Sequence, residues 1–113
     1  MAKFKAFTDI EQSKKLAEIL PIESADMSYR PYREEGGIPD YQVTLCPCQF
    51  ASWIGVPCWS LAALLELIPH LTIVRDGNGW YGETEEGRIV GYAGNTIDAC
   101  VEIIHKLKEK DLI

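Results

Sequence analysis

Gly55-Val-Pro-Cys-Trp-Ser-Leu-Ala-Ala-Leu-Leu-Glu-Leu-Ile-Pro69 is the most apolar run of the chain, and Pro57 and Pro69 punctuate it. Proline cannot continue a helix, and it drives the residue before it out of helical geometry. The run therefore predicts a helix over 60–68, with Ser60 as its N-cap, the hydroxyl accepting from a free amide of the first turn. Between Ser60 and Ile68 only Ser60 and Glu66 are polar. A face this apolar predicts a central helix buried on most sides. The run is too short, and too interrupted by Glu66 and Pro69, to span a membrane.

Upstream, Thr8-Asp-Ile-Glu11 carries a capping-box pattern and opens a helix that Pro21 closes. Ile10, Ser13, Leu16, Ala17 and Leu20 share one face of it. Ala25–Arg30 and Tyr41–Cys46 alternate as strands, joined by the polar loop from Arg33 to Asp40 into a hairpin. Pro31 limits the first strand or places it at an edge. Residues 47–57 read as irregular, and Phe50, Trp53 and Ile54 make that loop apolar. Downstream, Leu71–Arg75, a strand starting at Trp80, and Arg88–Tyr92 form a meander, with Asp76-Gly-Asn-Gly79 as a hairpin turn. The glycines here join strands, so they do not form a phosphate cradle, which must feed a helix. Asn95 caps a last helix with Ile97, Cys100, Val101, Ile104 and Leu107 as its apolar stripe. The order α-β-β-α-β-β-β-α predicts an α+β fold, a mostly antiparallel sheet with three helices packed on it.

At 113 residues, 47% hydrophobic and 25% charged, the chain reads as one α+β domain over 1–113 with an ordinary composition. Its formal net charge of −6 excludes a general nucleic-acid binder, which needs Lys and Arg for the phosphates. The same charge is modest for a DNA mimic. The first residues hold no apolar core of a signal peptide, which places the chain in the cytoplasm with its cysteines reduced.

Few residues carry catalytic chemistry. Cys58-Trp59, at the mouth of the central helix, is similar to the Cys-Trp pair of papain-like cysteine peptidases over those two residues. A helix N-terminus favours a thiolate. The reaction also needs a histidine within hydrogen-bond reach of the sulfur. His70 lies past the far end of the helix, about 15 Å away at about 1.5 Å rise per residue. His105 falls beside the charged face of the last helix. Cys58 therefore reads as a small core hydrophobe. Cys46, Cys48, Cys58 and Cys100 lack the paired knuckle spacing of a zinc site, so no metal and no cofactor are expected. The carboxylates lie on turns or exposed faces, without the apolar surroundings of an acid–base pair.

The blocks 7–27, 57–65 and 98–100 with the helix after them (Phe7 to Met27, Pro57 to Leu65, Asp98-Ala-Cys100) resemble a family of small uncharacterised proteins found in gut anaerobe genomes, their phages and mobile elements. The resemblance implies provenance; it implies no activity and no functional residues.

These observations favour a small non-enzymatic binding protein, a phage or mobile-element accessory factor acting on a host or defence protein. Its contacts would be aromatics outside the helix stripes: Tyr32, Trp53, Trp80, Tyr81 and Tyr92. An alternative is a protein that sequesters a nucleotide-like ligand, with Trp53, Trp59 and Tyr81 stacking and Arg75 or Arg88 holding phosphate. A second alternative is a cysteine hydrolase using Cys58. An exposed Phe50–Ile54 loop would make a homodimer or a partner surface there.

Overall fold

The computed structural model describes residues 5–33, 39–44, 55–84 and 89–112. Among these residues the architecture is α+β: three helices and two three-stranded antiparallel sheets. The chain divides into two compact units. One is built from Thr8–Ser60, the other from Met1–Phe7 and Leu61–Ile113.

The Thr8–Ser60 unit opens with helix α1 (Ile10–Ala17), followed by a 3-10 turn at Ile22–Ser24. The capping box is real but sits one residue later than the Thr8/Glu11 reading. Asp9 is the N-cap, accepting from the Gln12 amide at 2.8 Å, and the Gln12 side chain accepts from the Asp9 amide at 3.1 Å. Both registers fit the sequence pattern; burial decides between them, because the Thr8 hydroxyl is turned into the core. Ser13, Leu16 and Leu20 form the buried side of the helix, whereas Ala17 is exposed.

Three strands complete this unit: β1 (Met27–Arg33), β2 (Pro39–Thr44) and β3 (Val56–Cys58), in the order β2-β1-β3. The hairpin of β1 and β2 pairs Tyr29 with Val43 and Pro31 with Tyr41. The third strand is not legible in the sequence: Val56 and Pro57 end the segment read as irregular and Cys58 reads as the mouth of the central helix, yet Val56–Cys58 pairs with Met27–Tyr29. Its pairing stops before Pro31. Among the described residues, Pro31 therefore occupies a part of β1 with a neighbour on one side only, where a missing amide is tolerated. Met27, Ser28 and Tyr29 are all buried, so the alternation expected of β1 is absent at Ser28.

The other unit holds α2 (Leu61–Leu67), the meander β4 (Thr72–Asp76), β5 (Gly79–Glu83) and β6 (Val90–Ala93), and α3 (Thr96–Glu109). Helix α2 falls inside the predicted 60–68, but its burial is one-sided. Leu64 and Ile68 just past its end are buried, while Ala62, Leu65 and Glu66 are exposed. Composition alone overstates its cover; α2 packs against α3. Ser60 meets Asp26, whose carboxylate accepts from both the Ser60 amide and its hydroxyl. After Pro69, His70 takes a left-handed φ of 54° and turns the chain into β4.

The β4–β5 hairpin closes with Asp76 paired to Gly79. Gly77 has φ +61°, while Asn78 stays out of the left-handed region, the pattern of a type II′ turn. Helix α3 is capped by Asn95, which accepts from the Asp98 amide at 2.8 Å. All five residues of the predicted stripe are buried, and Ala99 and Ile103 join them. Ile103 explains the close seat of α3 on the sheet. Gly82 and Gly91 are directly paired across β5 and β6, and a Cβ on either would lie 2.9 Å from the Ile103 side chain.

Candidate functional site

Sheet β4-β5-β6 has two faces, and the register assigns every residue to one of them. Ile73, Gly82 and Gly91 share one row, and Arg75, Trp80 and Ala93 the next; Ile103 of α3 approaches this face. The opposite face carries the rows Thr72-Glu83-Val90 and Val74-Tyr81-Tyr92. The solvated face of an antiparallel sheet is ordinarily polar. Here it bears Val74, Val90 and Tyr92, with 47%, 36% and 53% of their surface exposed, and the half-buried Tyr81 between the first and last.

Two hydrogen bonds fix the aromatics. The Tyr92 hydroxyl donates to the Asp76 carbonyl at 3.1 Å, which lays its ring across β5 over Gly79. A Cβ on Gly79 would stand 2.6 Å from the Tyr92 hydroxyl oxygen, so the glycine is what makes room for the ring. The Tyr81 hydroxyl donates to Glu83 at 3.0 Å, and that bond to a carboxylate pushes its phenol up. The result is an apolar and aromatic row held in place by its own sheet, flanked by the carboxylates Glu83 and Asp76.

The other sequence candidates do not converge with this row. Arg75 is Cα partner to Trp80, so the pleat directs Arg75 and Tyr81 to opposite faces. An arginine clamp and a stacking ring from this pair cannot hold one ligand together. Trp59 is fully buried, and its indole N–H donates to Ser24 at 2.9 Å, which makes it core of the Thr8–Ser60 unit. Tyr32 lies on β1. Trp53 and Arg88, and the loop Phe50 to Ile54, lie outside the described residues, as do Cys46 and Cys48.

Cys58 ends β3, and α2 begins only at Leu61, so Cys58 is not the first-turn thiol of α2 that the Cys-Trp reading required. Its thiol is fully buried and donates to the Thr8 carbonyl at 3.5 Å, with the Thr8 hydroxyl 3.7 Å away. Burial pushes it up from its ordinary 9.0. Burial and protonation are the opposite of what a nucleophilic thiol requires. The thiol belongs instead to a polar cluster centred on Thr8, a residue whose sequence pattern spells a helix cap. The Thr8 hydroxyl accepts from the Trp59 amide at 3.1 Å and lies 2.7 Å from the Ser13 hydroxyl. The Thr8 carbonyl also accepts from Tyr29 at 2.7 Å. Nothing in the sequence distance of about fifty positions between Thr8 and Trp59 signals that contact.

Among the described residues, no three His, Cys, Asp or Glu side chains are grouped as a metal site. No described helix is long and apolar enough to cross a membrane. Comparison with protein-family models, with curated proteins and with solved structures returned no match.

Proposed function

We propose that this chain is a non-enzymatic binding protein that presents the outer face of β4-β5-β6 to a partner protein. One observation carries the reading: the row Val74-Tyr81-Tyr92 sits on the solvent side of a sheet, pinned by hydrogen bonds within that sheet. Exposed apolar side chains grouped on one rigid face mark interaction surfaces. Tyrosines already held in place lose little conformational freedom on binding. With Glu83 and Asp76 beside the row and a net charge of −6, the complementary surface has an apolar centre and a Lys- or Arg-bearing rim. The resemblance to the mobile-element family makes a host or defence protein the natural partner.

The test compares affinity capture by the wild type, by Tyr81→Ser/Tyr92→Ser and by Leu65→Ser, an exposed position on α2 outside the row. A protein captured by the wild type and by Leu65→Ser, but lost with the tyrosine variant, supports the reading. Capture that survives the loss of both tyrosines refutes it. Hot-spot aromatics of this kind cost about 2 kcal/mol or more each when truncated, so the loss should be complete at ordinary capture concentrations.

A further inference from the structure

The two edges of β4-β5-β6 are treated differently. In an antiparallel ladder, alternate residues direct both backbone groups toward one neighbour. On β6, the Tyr92 amide donates to Glu102 at 3.2 Å and the Val90 carbonyl accepts from Lys106 at 2.7 Å. These are the groups pointing away from β5. Glu102 and Lys106 are themselves joined at 3.0 Å, so one ion pair on α3 caps the outer edge of β6. On β4, the hairpin closes at Asp76 and Gly79, so Asp76, Val74 and Thr72 face β5, and the groups of Ile73 and Arg75 point outward. Among the described residues nothing pairs with them.

We infer that β4 pairs antiparallel with β4 of a second copy of this chain, about a two-fold axis at Val74, and that the capped β6 edge stops the assembly at a dimer. The residues of β4 fit this register. Ile73 stands opposite Arg75 of the second copy, and the reciprocal pair forms with it, so the outward backbone groups on both chains are satisfied in about four hydrogen bonds. Thr72 stands opposite Asp76 of the second copy, and Val74 opposite Val74. No like charges face each other directly, which a register centred on Arg75 would impose. The exposed Val74 side chains meet on the outer face, joining the two Val74-Tyr81-Tyr92 rows into one across six strands. An open edge of this kind is a ready template for strand addition. Its closure by symmetry, with the far edges capped, separates a dimer from a growing sheet. The inference stands whether or not a partner docks on the outer face.

Sedimentation velocity on the full chain tests it, over a concentration series reaching about 1 mM, the range in which a small interface associates. The wild type should pass from monomer to dimer and go no further. Arg75→Pro removes one outward donor per copy while leaving the β4–β5 bonds intact. At about 1 kcal/mol per lost hydrogen bond, dimerisation should weaken by about tenfold or more. Val74→Lys, at an exposed position, sets two ammonium groups opposite each other and should leave a monomer even if the proline variant fails to fold. Glu102→Ala/Lys106→Ala uncaps β6, and species larger than a dimer should form. A wild type that stays monomeric throughout overturns the proposal, as does a dimer that persists in Val74→Lys. An uncapped variant that remains a dimer overturns the assignment of the ion pair as the cap.

Discussion

Gly82 and Gly91 face each other across β5 and β6, yet the structure assigns them opposite tolerance to a methyl group. At Gly91 an added Cβ would lie 2.7 Å from the backbone carbonyl oxygen of Ala99 and 2.9 Å from Ile103 Cγ1. Carbon–oxygen contacts begin near about 3.3 Å, so α3 as a whole must retreat by about 0.6 Å. The obstacle is backbone within a helix and cannot swing aside. A gap of about 0.5–1 Å forfeits a quarter to a half of a dispersion contact, and α3 buries seven side chains. Overpacking of this kind costs about 2–3 kcal/mol. The φ of Gly91 is not left-handed, so alanine also recovers about 0.5–1 kcal/mol by restricting the unfolded chain. Gly91→Ala should therefore lose about 2 kcal/mol net. At Gly82 the one atom under 3.0 Å is Ile103 Cδ1, at 2.9 Å, the far end of a side chain. It can rotate, and Gly82→Ala should stay within about 1 kcal/mol of wild type. Urea unfolding of the two variants measures the difference. A second cycle sharpens it: Ile103→Val removes Cδ1, so it should couple favourably with Gly82→Ala and leave the Gly91→Ala penalty in place. Equal losses at the two glycines, or a Gly91→Ala protein as stable as wild type, would refute the argument that backbone contact sets the seat of α3.

Thr8→Val should cost about 2–3 kcal/mol in urea unfolding, because it leaves the buried Trp59 amide without its acceptor and Ser13 without its hydroxyl neighbour. Asp9→Ala, which removes only an exposed cap, should cost about 1 kcal/mol. His70→Gly should gain about 0.5–1 kcal/mol by relieving a left-handed residue at an exposed turn, and His70→Val should lose stability there. Burial raises the Cys100 thiol from 9.0 to about 11. Below pH 9 the proton is held in both states and stability does not change on its account. Between those values only the unfolded chain releases the proton, so stability falls with pH by about 1.4 kcal/mol per unit. Urea melts at stepped alkaline pH should show a shallower decline for Cys100→Ala than for wild type. Cys58, raised in the same direction, should resist alkylation at pH 8 until denaturant is added.

Much of the fold was legible because local signals agreed with one another. The stripe of α3, its Asn95 cap and the Asp76–Gly79 turn each state one answer, and tertiary context did not contest them. Elsewhere two local answers were available. Thr8/Glu11 and Asp9/Gln12 both spell a capping box, and only the burial of Thr8 against Trp59 separates them. Strand β3 is three residues long and contains a proline, so it has no period to read; it exists through its pairing with β1. The leucines of α2 suggested burial on most sides, but a side chain's cover comes from what the chain brings beside it, and Leu65 remains 40% exposed. Of the candidate contacts, Tyr81 and Tyr92 read in the sequence only as aromatics outside the helix stripes. That criterion could not show that they are cross-strand neighbours with Val74 completing the row. Register, which is non-local, makes the face.

Site-specific photo-crosslinking tests the binding face most directly. A benzophenone side chain replacing Tyr92 lies within the proposed contact; one replacing Leu65 lies on α2, outside the row. In cells that contain the partner, the probe at 92 should yield one dominant adduct to another protein, and the probe at 65 should not. An adduct of the chain with itself from position 74 would report the β4 dimer separately. No adduct to another protein from position 92, or the same adduct from both 92 and 65, would contradict the assignment of the β4-β5-β6 face as the binding surface.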